Sequence, residues 1–172
     1  PSIETIRTFA EVSDLEASVL QSPARPIVLL KKKPHPTLAG QIAPGNRYLG
    51  VMLPYTPLHY LLLADHVTAL VMTSGNKSEE PISIDNADAF EKLGKIADCF
   101  LIHNRDIYLR SDDSILRVIH QIPRQLRRSR GFVPVPIFLK KPHPKILACG
   151  AELKNTICLT RDNQAFVSQH IG

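Results

Sequence analysis

Helices and strands alternate along the first 131 residues and give way to a strand-rich tail, which predicts an α/β fold followed by a short β-hairpin of a second domain. Three observations carry the prediction. Apolar runs rich in branched residues recur at Pro26–Leu30, Leu49–Leu53, Ala69–Thr73, Cys99–Ile102 and Ser114–Ile119, a composition that suits buried strands. Segments with apolar residues at helical spacing separate several of them. At Phe132–Lys145 the composition shifts, with Pro134, Pro136, Pro142 and Pro144 crowded into one span; such spacing predicts an extended, semi-rigid linker.

In chain order, Ile3, Ile6 and Phe9 or Ala10 mark a first short helix. Ser13-Asp14-Leu15-Glu16 has the form of a capping box and starts a second helix that runs to about Gln21. Strands follow at Pro26–Leu30 and Leu49–Leu53. Pro57 suits a helix first turn, and Leu58, Leu61, Leu62 and Ala64 continue that helix toward a strand at Ala69–Thr73. Asp85 or Asn86 caps a helix through Gly94 with Ala89, Phe90 and Leu93 on its inner face, and strands at Cys99–Ile102 and Ser114–Ile119 follow. Beyond the 132–145 linker, Lys145–Cys149, Thr156–Thr160 and Ala165–Gln169 read as strands, the last two joined by a polar turn at Arg161–Gln164.

The formal net charge is +5 and the pI about 9.3. The excess is concentrated at Arg117, Arg124, Arg127, Arg128, Arg130, Lys140, Lys141 and Lys145, with no acid between Asp113 and Glu152. A local patch for an anionic partner is expected: phosphate, nucleotide or nucleic acid. Cys99, Cys149 and Cys158 lack C-x-x-C spacing, which argues against a disulfide framework or a zinc ribbon. The apolar runs are too short for a membrane span and no signal peptide is visible, so a cytoplasmic chain is expected. With no initiator Met and a stop just after a strand-like run, it reads as an internal piece of something longer.

Three stretches have the chemistry of a site. Val71-Met72-Thr73-Ser74-Gly75-Asn76 runs from a strand into hydroxyl, glycine and amide groups, where ligands of α/β sheets bind; the same residues are ordinary turn formers. His103-Asn104-Arg105-Asp106-Ile107, with Arg110, Asp112, Asp113 and Ser114, suits a polar network on a cleft wall or a solvated loop. Asp112 and Asp113 raise the thought of Mg²⁺, but adjacent strand residues face opposite ways, so only one would face a site. Arg124–Gly131 suits bidentate recognition of phosphate or a solvated basic edge strand. His35, His59, His66 and His170 have no metal-ligand spacing and read as packing or surface residues.

Pro23-Ala-Arg-Pro-Ile-Val-Leu-Leu30, Gly50–His59, Val71–Asn76, Ile102–Ile107, Asp112–Ser114 and Arg127–Gly131, in this order, resemble the HypF family over nearly the whole chain. Thr73–Asn76 alone would indicate only the wider YrdC superfamily. His103–Ile107, Gly150–Asn155 and Ser168–Gly172 separate HypF from its threonylcarbamoyl-AMP synthases. The resemblance implies a YrdC-like twisted mixed sheet with flanking helices over 1–131, incomplete at its N-terminal end. It further implies that 146–172 are the opening strands of a carbamoyl-transfer domain of the actin-like ATPase superfamily. It implies ATP with Mg²⁺ and carbamoyl phosphate as ligands, carbamoyl-AMP as product, and HypE as acceptor, through its C-terminal Cys, for the cyanide ligand of [NiFe]-hydrogenase. Zinc is expected only in zinc fingers upstream. Thr73, Ser74 and Asn76 match the nucleotide-contact loop, Ser114 a phosphate-side hydroxyl, and Arg128 or Arg130 the late basic contact. His103, Asn104, Arg105 and Asp113 are the candidate wall network. The fragment by itself is expected to be inactive. An RNA-binding module, poor in stacking aromatics, and threonylcarbamoyl-AMP synthesis are the alternatives.

Overall fold

The computed structural model describes residues 2–34, 38–64, 67–151 and 155–170. His35 and His66, together with Glu152, Leu153, Lys154, Ile171 and Gly172 of the HypF-like stretches, lie outside the described residues. The chain divides into two units, residues 1–70 with 113–135 and residues 71–112 with 136–172.

The first unit opens with α1 (Ile3–Phe9), whose N-cap Ser2 accepts a hydrogen bond from the Thr5 amide at 3.3 Å. In α2 (Asp14–Gln21) the capping box forms as its spacing predicts. The Glu16 amide donates to Ser13 Oγ at 3.3 Å, and the Ser13 amide donates to Glu16 Oε2 at 2.8 Å. Two amides that no helix can satisfy internally are thereby paired, and such a cap is typically worth about 1 kcal/mol. Four strands, β1 (Ile27–Lys31), β2 (Tyr48–Val51), β3 (Ile115–Ile119) and β4 (Ile122–Arg127), form a sheet in the order β2-β1-β3-β4. β1 is antiparallel to β2 and parallel to β3, and β3 is antiparallel to β4, so the sheet is mixed.

Side chains alternate across a strand, and β1 shows the consequence. Val28 and Leu30 are fully buried and pack with Ile3, Ile6, Ala10, Leu20 and Leu53, while Ile27 and Leu29 face the other way. β3 and β4 are joined by His120 and Gln121, both at positive φ (51° and 60°), the backbone of a two-residue hairpin loop. Such a loop makes its flanking residues, Ile119 and Ile122, a hydrogen-bonded pair. The next pair, Val118 and Pro123, is then the open one. Pro123 therefore turns its nitrogen away from β3, the position in an edge strand where a missing N–H costs no ladder bond. The sequence left Arg124–Gly131 between ligand contact and edge strand; its first half, through Arg127, is the edge strand. α3 (Pro57–Leu62) begins as predicted, with Pro57 in the first turn and Thr56 Oγ1 accepting from the His59 amide at 3.2 Å.

In the second unit, α4 (Asn86–Leu93) is capped by Asp85, whose Oδ1 accepts from the Ala87 and Asp88 amides at 2.7 and 3.1 Å. Phe90, expected on an inner face, is 45% exposed; it meets Phe100 edge to face, ring centroids 4.8 Å apart. At its last turn Lys92 Nζ lies 2.8 Å from Asp88 Oδ1 and 3.5 Å from Glu80 Oε2. Hydrogen bonding to Lys92 lowers the Asp88 pKa from its ordinary value, and the same contact raises that of Lys92. Strands β5 (Ile137–His143), β6 (Leu147–Cys149) and β7 (Ile157–Val167) form an antiparallel sheet in the order β5-β7-β6.

Two expectations need correction and a third holds in altered form. Half of the predicted linker is β5, hydrogen-bonded to β7. Its Pro142 falls in the irregular stretch between the Phe138↔Gln164 and His143↔Asp162 pairs, where a missing N–H is tolerated. Ala69–Thr73 and Cys99–Ile102 are not strands. Branched apolar composition supplies a tendency, and a strand exists only when a neighbour completes its ladder. The two arms predicted around Arg161–Gln164 do form, although one strand run covers both. It is not straight, however: the Ser168 amide donates to Ile157 O at 2.8 Å and the Ile157 amide donates to Ser168 Oγ at 2.9 Å. Eleven residues of straight strand would separate those ends by roughly 36 Å. β7 therefore doubles back through the polar residues, with Asp162 at φ 53°. Its first half pairs with β6 and its second with β5.

Candidate functional site

In the first unit the site residues at the start of β3 and the end of β4 converge on one buried cluster. Asp113 and Arg130 form a parallel bridge just beyond the two strands. Ser114, fully buried, donates through Oγ to Arg130 O at 2.8 Å and accepts from the Ser129 amide at 2.8 Å. Its carbonyl accepts from the Ile27 amide at 2.8 Å. The hydroxyl hydrogen of Ser114 is thus committed to the backbone that follows β4.

Arg130 is held on four sides. Nε donates to Asp113 Oδ1 at 2.5 Å, Nη1 to Ala24 O at 3.1 Å and Nη2 to Arg25 O at 2.8 Å. The guanidinium also lies 3.5 Å from the ring centroid of Tyr55, within cation–π range. Burial first, then the Asp113 carboxylate, pushes the Tyr55 phenol above the ordinary tyrosine pKa. Gly131, at φ 86°, closes the cluster: a β-carbon there would stand 2.5 Å from Ala24 O, so no other residue fits without a shift of backbone. Arg128 donates through Nη2 to Phe132 O at 3.0 Å and to Val135 O. Burial lowers its pKa. One ionic cluster thus pins residues 24–25, 55, 113–114 and 129–131 together. Ala24, Arg25 and Tyr55 lie in stretches that carry the HypF resemblance, Pro23–Leu30 and Gly50–His59, but the sequence assigns them no site role.

In the second unit the Ser74–Asn76 loop is closed by hydrogen bonds from the Asn76 amide to Ser74 O at 3.1 Å and from the Ser83 amide to Gly75 O at 2.9 Å. Asn76 Nδ2 donates to Lys77 O at 2.7 Å and to Glu80 O at 3.0 Å. Both partners are carbonyls, which fixes the amide orientation and leaves Oδ1 as a buried acceptor without a partner among the described residues. Thr73 and Ser74 are exposed. His103 O accepts from Asn86 Nδ2 at 3.3 Å and His103 Nδ1 from the Arg105 amide at 3.3 Å. His103, Asn104 and Arg105 are exposed and make no ion pair among the described residues. The ion-pair partner of Asp113 is Arg130, not Arg105. Among the described residues no group of three or more His, Cys, Asp or Glu is arranged to hold a metal ion. No described helix is long and apolar enough to cross a membrane.

Known proteins resemble this arrangement. Residues 1–129 match the Sua5_yciO_yrdC family, described as telomere recombination, and residues 141–172 match the HypF Kae1-like domain. The chain is 51% identical over 161 residues to carbamoyltransferase HypF of Synechocystis sp., covering 93% of this chain and 21% of that protein. It is 48% identical over 177 residues to carbamoyltransferase HypF of Rhizobium leguminosarum bv. viciae, covering 99% of this chain and 23% of that protein. It therefore spans about a fifth of the length of these curated relatives. A crystal structure of full-length HypF in the phosphate- and nucleotide-bound form matches with a TM-score of 0.88 and 50% identity, over 99% of this chain and 27% of that one. With a mixed sheet, a second antiparallel sheet and this likeness along nearly its whole length, the chain belongs to the HypF family.

Proposed function

We propose that this chain is the nucleotide-handling part of an ATP-dependent carbamoyltransferase. The observation that carries the reading is the 48–51% identity, over nearly the whole chain, to proteins named carbamoyltransferase HypF. In the proposed reaction a carbamate oxygen, derived from carbamoyl phosphate, attacks the α-phosphorus of ATP. The bond to the β-phosphate oxygen breaks, pyrophosphate leaves, and carbamoyl-AMP forms. A following domain passes the carbamoyl group to the C-terminal Cys of HypE on the way to the hydrogenase cyanide ligand.

The residues fit a nucleotide with its Mg²⁺. The exposed hydroxyls of Thr73 and Ser74 suit phosphate oxygens, and the orphan Oδ1 of Asn76 is a hard acceptor of the kind that ribose hydroxyls or Mg²⁺ take. Bound Mg²⁺ would supply charge neutralisation on the phosphates. Arg128 and Arg130 are the proposed basic contacts and would act from fixed positions, since both are tied to backbone carbonyls. A preorganised cation needs no rearrangement as charge shifts to the leaving pyrophosphate. Ser114, Asp113, His103, Asn104 and Arg105 are proposed as supporting wall residues. Asp113, Ser114, Arg128 and Arg130 stand in the first unit, and Thr73, Ser74, Asn76, His103, Asn104 and Arg105 in the second.

The test is carbamoyl phosphate-dependent cleavage of ATP to AMP and pyrophosphate by a HypF-length protein carrying this sequence. Asn76→Ala and Arg128→Ala should each lower the rate about a hundredfold to a thousandfold, the usual effect of losing one preorganised contact, with circular dichroism unchanged. Near-normal AMP formation by both variants would remove the assignment.

Nucleic acid is the second reading, favoured by one observation. Arg117 and Arg124 are cross-strand partners, and Arg117 lies 4.0 Å from the Tyr48 ring centroid. Like charges directly opposite each other are destabilising without an anion between them. Binding to a nucleic-acid backbone would weaken steeply with salt, whereas specific ATP binding would survive moderate salt.

A further inference from the structure

The sheet face turned away from the core under α1 and α2 carries two guanidinium groups and no carboxylate of its own. Side chains alternate across a strand, so Ile27, Leu29 and Lys31 of β1 point away from buried Val28 and Leu30. The register sets Tyr48 beside Lys31 and Ile115 beside Ile27, which puts Arg117 on that same face, with Arg124 directly across from it on β4. None of the four strands contains an Asp or a Glu.

Arg117 is held in place by the protein itself. Its guanidinium carbon lies 4.0 Å from the Tyr48 ring centroid and Nη2 donates to Tyr48 Oη, so the side chain reaches over β1 to β2. It makes no ion pair among the described residues, and neither does Arg124. Because Ile119 and Ile122 flank a two-residue loop, Arg117 and Arg124 form the next hydrogen-bonded pair, with Cα atoms roughly 5.5 Å apart. Like charges directly opposite each other weaken a sheet. Protection of an edge accounts for arginine on β4 but not for Arg117, since β3 lies between β1 and β4. Two guanidinium forks at that spacing, one of them already oriented, suit the oxygens of a single phosphate group.

We propose that Arg117 and Arg124 form a site for a small phosphate anion, separate from the cluster around Arg130 and not dependent on the proposed reaction. A nucleic-acid backbone fits this face less well. Tyr48 is the sole aromatic residue of the four strands, and its ring carries Arg117 in place of a base; single strands need stacking platforms along a basic groove. Lys31, on the same face, is held by Glu11 Oε1 at 2.9 Å, so the positive charge stays local to one pair of residues.

The experiment follows amide exchange of residues 115–127 by mass spectrometry in a HypF-length protein carrying this sequence. Inorganic pyrophosphate, ATP and single-stranded RNA are added in turn at physiological ionic strength. At about ten times its Kd, pyrophosphate should slow exchange there about tenfold, and Arg117→Gln and Arg124→Gln should each remove the effect. Arg124→Glu guards against simple misfolding. Opposite charges then face each other, so the unfolding temperature should rise while the response to pyrophosphate disappears. Slowing by pyrophosphate but not ATP assigns the site to the free ion, and slowing by both assigns it to the phosphate tail of a nucleotide. No slowing, slowing that persists in Arg124→Glu, or slowing by RNA alone would overturn the proposal.

Discussion

The guanidinium of Arg130 reaches three backbone or carboxylate oxygens and covers a phenol ring, so removing it strips partners from residues far apart in sequence. Gly131 beside it is the sharper probe, because its demand is steric and local. Alanine at 131 would have to hold φ 86° and place a β-carbon 2.5 Å from Ala24 O. Left-handed backbone at a non-glycine residue costs about 1 to 3 kcal/mol, and the clash with a carbonyl oxygen adds to it. Gly131→Ala should therefore destabilise the protein by about 2 kcal/mol or more, read from urea unfolding with the slope unchanged. A shift within about 0.5 kcal/mol, the range of an ordinary surface substitution, would show that 24–25 and 129–131 are not pinned as described. At this scale the sequence was legible in part. Arg124–Gly131 read as a phosphate contact or a basic edge strand, whereas Gly131 stands against Ala24, and nothing in a linear reading links residues 24 and 131.

Elements were most legible where local chemistry decides them. The Ser13 capping box, the Pro57 first turn and the Asp85 cap each stand where the residues predicted, because a cap needs only neighbours within one turn. Strands at 69–73 and 99–102 were misread because pairing is decided by distant chain. β4 was half legible: a basic edge strand was one of two readings for Arg124–Gly131, but the hairpin loop His120-Gln121 carries none of the Gly or Asn that announces such a turn. Both residues hold positive φ without glycine, a conformation costing about 1 kcal/mol or more apiece. Replacing the pair by Asn-Gly should raise stability by about 1 kcal/mol in thermal or urea unfolding. Destabilisation would mean that one of these side chains makes a contact the loop needs.

For the whole molecule, the charge of +5 and the family resemblance were legible from the residues alone, whereas the grouping of site residues was not. Thr73, Ser74 and Asn76 stand in one unit and Ser114, Arg128 and Arg130 in the other. Separation along the chain does not say which segments will share a core. We propose that residues 1–131 and 146–172 belong to two domains of a HypF-length protein, a reading supported by family matches that end at 129 and resume at 141. Two domains should open separately. Native-state hydrogen exchange should then give β3 and β7 different opening free energies and different denaturant slopes, and one common value for both would count against the boundary. Pro123 has a consequence at this scale. A second copy of the chain sliding up to β4 would find no N–H to grip at that position and two arginines, Arg124 and Arg127, along the same strand. Lateral growth of the sheet into a filament is blocked from that side even at the high concentrations of an expressing cell.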